Sequence, residues 1–189
     1  FTAVGLELGG KDPAYVMEDA MLDAAVDGLM DGVVFNSGQS CCGIERIYVA
    51  ESIYEEFLDK SVAWLATQRL GNPLDPETTL GPMATLRGTS TVRSQIADAL
   101  ARGARALVDP KLFPADDGRG TYVAPQILVD VDHSMEFMRE ETFGPAVGIM
   151  KVRSDAEALA LMNDSAFGLS AYLWTSDPKR AGRLGAERS

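Results

Sequence analysis

The sequence predicts an α/β domain, with a mainly parallel sheet flanked by helices. Strand-like runs alternate with segments of helical periodicity, an order typical of parallel strands joined by crossover helices. The chain has 189 residues, of which 46% are hydrophobic, so one domain with its own core is expected.

The first helix is predicted over residues 19–35. Apolar residues at positions 22, 25, 26, 29, 30 and 33 form one stripe, while aspartates at 19, 23, 27 and 31 recur on another face. Asn36, Ser37 and Gly38 end this helix. They lead into the sequence GQSCCGIE, which holds the only two cysteines of the chain.

The remaining elements follow from capping signals and loop composition. Ser52 with Glu55 and Ser154 with Glu157 have the spacing of a capping box, and Pro178 fits the first turn of a helix. The stretch 71–82 is rich in Gly, Pro and Asp and is predicted to be a loop. We expect helices at 52–68, 84–102, 154–162 and from 178 onward, and strands at 46–50, 106–108, 122–131, 146–152 and 168–175.

Composition and charge exclude several functions. The net charge is −11 and the basic residues are scattered, which argues against nucleic-acid binding. No apolar stretch approaches the roughly 20 residues of a membrane span. Two adjacent cysteines cannot build a disulfide framework, so we expect a reducing compartment, the cytoplasm. His133 is the only histidine, and no metal site is predicted.

The sequence GLELGGKD, at 5–12, nearly matches the phosphate-binding motif G-x-x-x-x-G-K-[ST]. The match fails because Asp12 stands where a hydroxyl would bind magnesium. Glu7 would also place a negative charge among the phosphates. A nucleotide triphosphate site is therefore not favoured.

Four segments, in order along the whole chain, carry a resemblance to a known family. They are LELGGKDP (6–13), GQSC (38–41), EETFGPAV (140–147) and LMNDSAFGLSAYLWTSD (161–177). Together they resemble the NAD(P)-dependent aldehyde dehydrogenase family. The resemblance implies that an aldehyde is oxidised to a carboxylic acid, with hydride transfer to NAD or NADP, of which NAD is favoured.

By this resemblance Cys41 is the nucleophile and Glu7 the general base. A thiolate would attack the aldehyde to form a thiohemiacetal, and loss of hydride would leave a thioester that water hydrolyses. Glu7 would activate that water, which requires hydrogen-bond reach. The fold must bring the two residues together, because they are 34 positions apart (41 − 7 = 34). Ser40 and Cys42 are predicted to line the substrate pocket.

The resemblance also implies a set of cofactor contacts. Leu8 and Gly9 would lie beside the nicotinamide, Glu141 would bind the nicotinamide ribose hydroxyls, and Phe143 would pack against the same end of the cofactor. Gly88 is a departure, because many family members carry a longer polar side chain at this position that contacts the cofactor.

We expect residues 1–189 to be a catalytic domain from a longer chain. The sequence begins at Phe1, and it lacks the family's dinucleotide-binding region and its oligomerisation strands. The isolated chain is therefore expected to be inactive, and the complete protein to be a homodimer or homotetramer acting on a small-molecule aldehyde.

Several alternatives stay open. The chain could be a non-catalytic assembly domain of the same fold, or belong to a coenzyme-A-acylating relative. Both cysteines could be small core residues. His133 could serve Cys41 in a protease-like pair, although it lacks any local signature.

Charged residues near the motifs also have structural interpretations. Glu7 lies between Leu6 and Leu8, which disfavours a fully exposed position. Lys11 is expected to form a structural salt bridge. Glu45 and Arg46 are expected to pair with each other or to face solvent.

Overall fold

In the computed structural model, which describes residues 2–186, six strands form one sheet with helices on both faces. The strands are β1 Asp12–Val16, β2 Ile44–Ala50, β3 Arg105–Ala106, β4 Gln126–Val129, β5 Ala146–Val152 and β6 Tyr172–Trp174. The helices are α1 Leu22–Val34, α2 Tyr54–Ala66, α3 Leu86–Ala101, α4 Glu136–Arg139, α5 Asp155–Asn163 and α6 Pro178–Ala186.

The strand order is β3-β4-β5-β2-β1-β6. Every neighbouring pair is parallel except β3 with β4. The predicted mainly parallel α/β fold is therefore confirmed. Long β2 and β5 pair at the centre, with Ile47 opposite Ile149.

Alternating strand residues divide the core into layers. On one face, Ala14 and Val16 of β1 pack with α1 and α2. On the other face, Tyr15 and Tyr48 pack with α5 and α6, while a third cluster joins α3 and α4 to the other end of the sheet. The chain is thus a three-layer domain whose central strands are buried on both sides.

Some local predictions are confirmed and others are wrong. Ser154 caps α5 by accepting the backbone N–H of Glu157, as predicted. Ser52 caps nothing, because it lies in a 3₁₀ turn, Glu51–Ile53, that delays the start of α2. Strand β1 and the short helix α4 were not predicted. The outer strands are also shorter than expected, since β4 covers four residues and β6 three.

No helix within residues 2–186 is both long and apolar enough to cross a membrane. The same part of the chain holds no group of three or more His, Cys, Asp or Glu side chains suited to a metal ion.

Candidate active site

The motif segments meet at the amino ends of the central strands. The segment LELGGKDP runs into β1, the cysteine loop precedes β2, and EETFGP precedes β5. Ligands of open parallel sheets more often bind at the carboxyl ends of the strands. At that opposite edge, Asp155 and Arg180 line a groove of about 660 Å³, but none of the motif residues does.

The cysteine loop begins with a sharp reversal of the backbone. Asn36, Ser37 and Gly38 all have left-handed φ values, of 51°, 58° and 71°. A Cβ on Gly38 would lie 2.1 Å from the carbonyl oxygen of Gly144, so only glycine fits there. This contact brings the loop against the segment that precedes β5.

Gln39 fixes the other side of the loop. Its side-chain amide donates to the Asn36 carbonyl (2.9 Å), and its Oε1 accepts the backbone N–H of Ala84 (2.7 Å). The hydroxyl of Ser37 donates to the Gly81 carbonyl (2.7 Å). Ser37 and Gln39 therefore position the loop through hydrogen bonds to neighbouring segments.

The two cysteines differ in exposure. Cys41 is half-buried and Cys42 is exposed, and both are free thiols. The Sγ of Cys42 lies 3.2 Å from the Oγ of Ser40. The alternative that both are core residues is wrong, because neither lies in an apolar cluster.

Gly10 brings the first motif to the nucleophile candidate. A Cβ on Gly10 would lie only 2.0 Å from the carbonyl oxygen of Cys41, so any side chain would push the two segments apart. The sequence motifs LELGG and GQSC are therefore in direct backbone contact, although they are more than 25 residues apart.

Glu7 does not reach the thiol directly. It lies in an extended segment without regular structure, and its side chain is exposed, as are those of Leu6 and Leu8. Within residues 2–186 no hydrogen bond joins it to Cys41. The expectation that the flanking leucines would shelter Glu7 is wrong, because this segment does not pack on the sheet before Gly10.

Glu141 is placed against the glycines of the first motif. Its Oε1 accepts the backbone N–H of Gly10 (2.8 Å), its other oxygen lies beside Gly9, and its carbonyl accepts the amide of Gln95 (3.2 Å). Burial raises the pKa of Glu141 above its usual range, and the nearby Glu45 acts in the same direction. The Gly10 N–H and the Lys11 charge oppose this shift.

The other predicted cofactor residues lie close to Gly9 or Glu141 in sequence and are exposed. Phe143 has a left-handed φ of 50°, and its side chain is 40% exposed. Leu8 and Glu140 are exposed. Gly9, Glu141 and Phe143 thus form a surface that includes a carboxylate and an aromatic ring.

A buried ion pair lies beneath this surface. The Nζ of Lys11 is 2.6 Å from Oε2 of Glu45, and the two side chains are 0% and 3% exposed. Burial lowers the pKa of Lys11, and the Glu45 carboxylate opposes that shift. The predicted salt bridge of Lys11 is therefore confirmed.

The expected pairing of Glu45 with Arg46 is wrong. Successive residues of β2 point to opposite faces, and both side chains are buried. Arg46 instead donates to the Lys11 carbonyl (3.0 Å) and to backbone carbonyls at the end of α5, those of Leu161, Met162 and Asp164. Sequence reasoning missed these roles. The available signal was a Glu-Arg pair in an otherwise apolar strand.

His133 is engaged away from the cysteines. Its Nδ1 lies 2.6 Å from a carboxylate oxygen of Asp164, and its Nε2 lies 2.8 Å from the hydroxyl of Tyr48. A pairing of His133 with Cys41 is therefore wrong. Arg93, which lies five residues after Gly88 on the same helix, is likewise engaged, because it donates to Asp116 (2.7 Å).

Comparison with known proteins decides the family. The model of the aldehyde dehydrogenase family matches residues 1–188. The chain belongs to the aldehyde dehydrogenase family. The chain is 38% identical over 181 residues to the glutarate-semialdehyde dehydrogenase of Pseudomonas putida, covering 96% of the chain and 37% of that protein. It is 41% identical over 172 residues to a succinate-semialdehyde dehydrogenase [NADP(+)] of Mycobacterium tuberculosis, covering 91% and 37%.

Solved structures agree with this assignment. An NADP-dependent enzyme of E. coli superposes with a TM-score of 0.91 at 36% identity, over 96% of this chain and 37% of that one. Betaine aldehyde dehydrogenase of Staphylococcus aureus, in complex with NAD+, gives a TM-score of 0.88 at 31% identity, over 96% and 36%. The chain thus spans little more than a third of the length of the relatives it matches.

Proposed function

We propose that this chain is the catalytic region of a longer NAD(P)-dependent aldehyde dehydrogenase, with Cys41 as nucleophile. The observation that supports this most is the contact of Gly10 with both Cys41 and Glu141. It joins the candidate thiol to the candidate cofactor surface across the amino edge of the sheet.

The nucleophilic step falls to Cys41. Its thiolate would attack the aldehyde carbonyl carbon, and the oxyanion would take a proton to give a thiohemiacetal. The half-buried position of Cys41 limits its contact with bulk water, while the adjacent Ser40 and Cys42, which are more or equally accessible, would line the substrate pocket. NAD(P)+, when bound, would supply the hydride acceptor. Loss of the hydride from the thiohemiacetal carbon and of the hydroxyl proton to water would then leave a thioester on Cys41.

The residues that would hold the nicotinamide end are Leu8, Gly9, Glu141 and Phe143. Glu141 uses one carboxylate oxygen on Gly10, which leaves the other to accept ribose hydroxyls. The exposed ring of Phe143 offers an apolar surface next to it. These features fit a dinucleotide, and they serve NAD and NADP equally, because those two cofactors differ at the other ribose.

The thioester would be hydrolysed by water activated at Glu7. Glu7 is three residues from Gly10, so its Cα can lie at most about 11 Å from that of Gly10. That short separation would allow its carboxylate to reach a water beside Cys41 in the complete enzyme. Transfer of oxygen from water to the acyl carbon would release a carboxylic acid and the free thiol.

The decisive experiment uses the complete enzyme with NAD and NADP and a panel of aldehydes that includes succinate semialdehyde, glutarate semialdehyde and betaine aldehyde. We expect NAD(P)H and the free acid as products. Cys41→Ser should lower the rate by more than about 1,000-fold, because a hydroxyl is a far weaker nucleophile.

Cys42→Ser is the matched control. It should retain most of the activity and mainly change the preference among aldehydes. Loss of turnover in Cys42→Ser with retention in Cys41→Ser would reverse the assignment of the nucleophile. If an acyl-coenzyme-A product formed only when coenzyme A was added, the second step would be acyl transfer to coenzyme A and not hydrolysis. Light scattering would test the proposed homodimer or homotetramer.

A further inference from the structure

Glu45 follows the cysteine loop and is the centre of a buried set of contacts that joins the first motif segment to the segment EETFGPAV. Its Oε2 pairs with Lys11 of the first motif (2.6 Å) and also accepts the backbone N–H of Thr142 (2.8 Å). Its Oε1 accepts the backbone N–H of Phe143 (2.8 Å). Glu45 is the second residue of β2 and lies four residues after Cys41.

Glu45 binds the backbone of the turn at Thr142 and Phe143, and this turn has an unfavourable conformation. Phe143 has a φ of 50°, a left-handed conformation that is unfavourable for a residue with a Cβ. Two consecutive backbone N–H groups then point at one carboxylate, in the manner of an anion-binding nest. Lys11 stabilises the same turn a second time, by donating to the hydroxyl of Thr142 (3.0 Å).

These contacts fix the cofactor surface relative to the thiol. Glu141 immediately precedes the turn, and its own carboxylate is held by Gly10, which contacts Cys41. We propose that Glu45, paired with Lys11, is a positioning residue that holds the Glu141 and Phe143 surface at hydride-transfer distance from Cys41. This inference rests on the proposed function and adds to it a residue that touches neither substrate nor cofactor.

The expected consequence is a selective loss of hydride transfer. Reaction rates fall steeply when reacting groups are displaced by about 1 Å, by roughly 100-fold. In the complete enzyme, Glu45→Gln should slow the single-turnover formation of NAD(P)H by about 10- to 100-fold and raise the KM for the cofactor. Alkylation of Cys41 by iodoacetamide without cofactor should change by less than about threefold, because the thiol loop keeps its Gln39 and Gly10 contacts.

Two further variants distinguish a loss of positioning from a general loss of stability. Asp155→Asn removes a carboxylate that pairs with Arg180 at 2.6 Å at the opposite edge of the sheet, and it should leave hydride transfer unchanged. Thr142→Val removes only the hydroxyl bonded to Lys11 and leaves no buried charge unpaired. It should fold if Glu45→Gln does not, and slow the same step several-fold.

The outcomes separate this inference from the proposed function. A wild-type enzyme that oxidises no aldehyde would overturn the proposed function. An active wild type in which Glu45→Gln, or Thr142→Val if the first variant does not fold, keeps the wild-type single-turnover rate would overturn the positioning role alone. So would a loss of hydride transfer as large in Asp155→Asn as in Glu45→Gln.

Discussion

At the scale of single residues, Glu141 links ionisation to cofactor binding. Burial raises the pKa of this carboxyl, and the charge of Glu45 adds to the rise, so the protonated form persists to higher pH than for an ordinary glutamate, whose pKa is about 4.3. A protonated carboxyl accepts hydrogen bonds from the ribose hydroxyls less well than a carboxylate does. The raised pKa also means that the contribution of Glu141 to stability is lost as pH rises through the folded-state pKa.

We therefore expect the affinity for NAD(P) to fall as pH is lowered from 8 toward 5 in the complete enzyme. The equilibrium Kd, measured by fluorescence titration, should rise with an apparent pKa above the usual glutamate value. Glu141→Gln should bind the cofactor weakly and with no such pH dependence. Glu140→Gln is the control, since Glu140 is exposed, and an identical loss of pH dependence there would contradict the assignment.

Residue identity could be predicted only where a motif carried it. Cys41 and Glu141 lie in short recognisable sequences, and the structure places both at one edge of the sheet. Glu45 could not be predicted, because its partners are 34 residues away at Lys11 and 97 residues away at Thr142. For Glu7 the prediction of burial was wrong. Flanking leucines indicate burial only when their segment packs on a core, and this segment does not.

At the scale of elements, the spacing of apolar residues predicted the position of an element well wherever one of its faces is buried. Helix α1 follows its apolar stripe, and β5 has the predicted bounds. Strand β1 escaped prediction because Pro13 argues against a central strand. The structure accommodates it with an irregularity in register between Asp12 and Pro13, next to β2.

Helix α6 shows how much an element depends on one side chain. It has nine residues and only one buried side chain, that of Leu184, so it is too short to be stable by itself. Arg180 anchors it by bonding both Asp155 (2.6 Å) and Glu18 (2.8 Å). Hydrogen bonding to Arg180 lowers the pKa of both carboxyls.

We expect Arg180→Ala to release α6. Amide hydrogen exchange should increase within the helix. The free energy of unfolding should fall by about 1 kcal/mol, a small loss because solvent screens the half-exposed Glu18. Because the two carboxyl pKa values are depressed, the anchor contributes above their usual values and is lost as pH falls through the folded-state values. Lys179→Ala, an exposed change on the same helix, should alter neither quantity. Equal exchange in the two variants would refute the anchor.

At the scale of the whole molecule, the chain exposes more surface than a compact monomer does. Its accessible area is 9852 Å², whereas a folded monomer of 20.3 kDa exposes about 8,800 Å². Leu6, Leu8 and Phe143 contribute apolar area beside the motif segments. This surface matches the proposal that further parts of a longer enzyme cover the site, and local sequence patterns could not have predicted it.

The same consideration predicts how the two thiols respond to their surroundings. In the chain alone, Cys42 is exposed and Cys41 half-buried, so accessibility favours alkylation of Cys42. In the complete enzyme, Cys41 should react first, because activation of a nucleophilic thiol depends on groups arranged around it.

Iodoacetamide labelling followed by mass spectrometry can measure the rate at each cysteine in both proteins. We expect Cys42 to react at least as fast as Cys41 in the isolated chain, which should form no NAD(P)H from aldehyde. The order should reverse in the complete enzyme. In a Cys42→Ser variant of the isolated chain, the only remaining labelling is that of Cys41, so its rate can be measured alone. If the isolated chain instead labelled Cys41 selectively and reduced NAD(P) at the rate of the complete enzyme, these 189 residues would already contain the whole catalytic site.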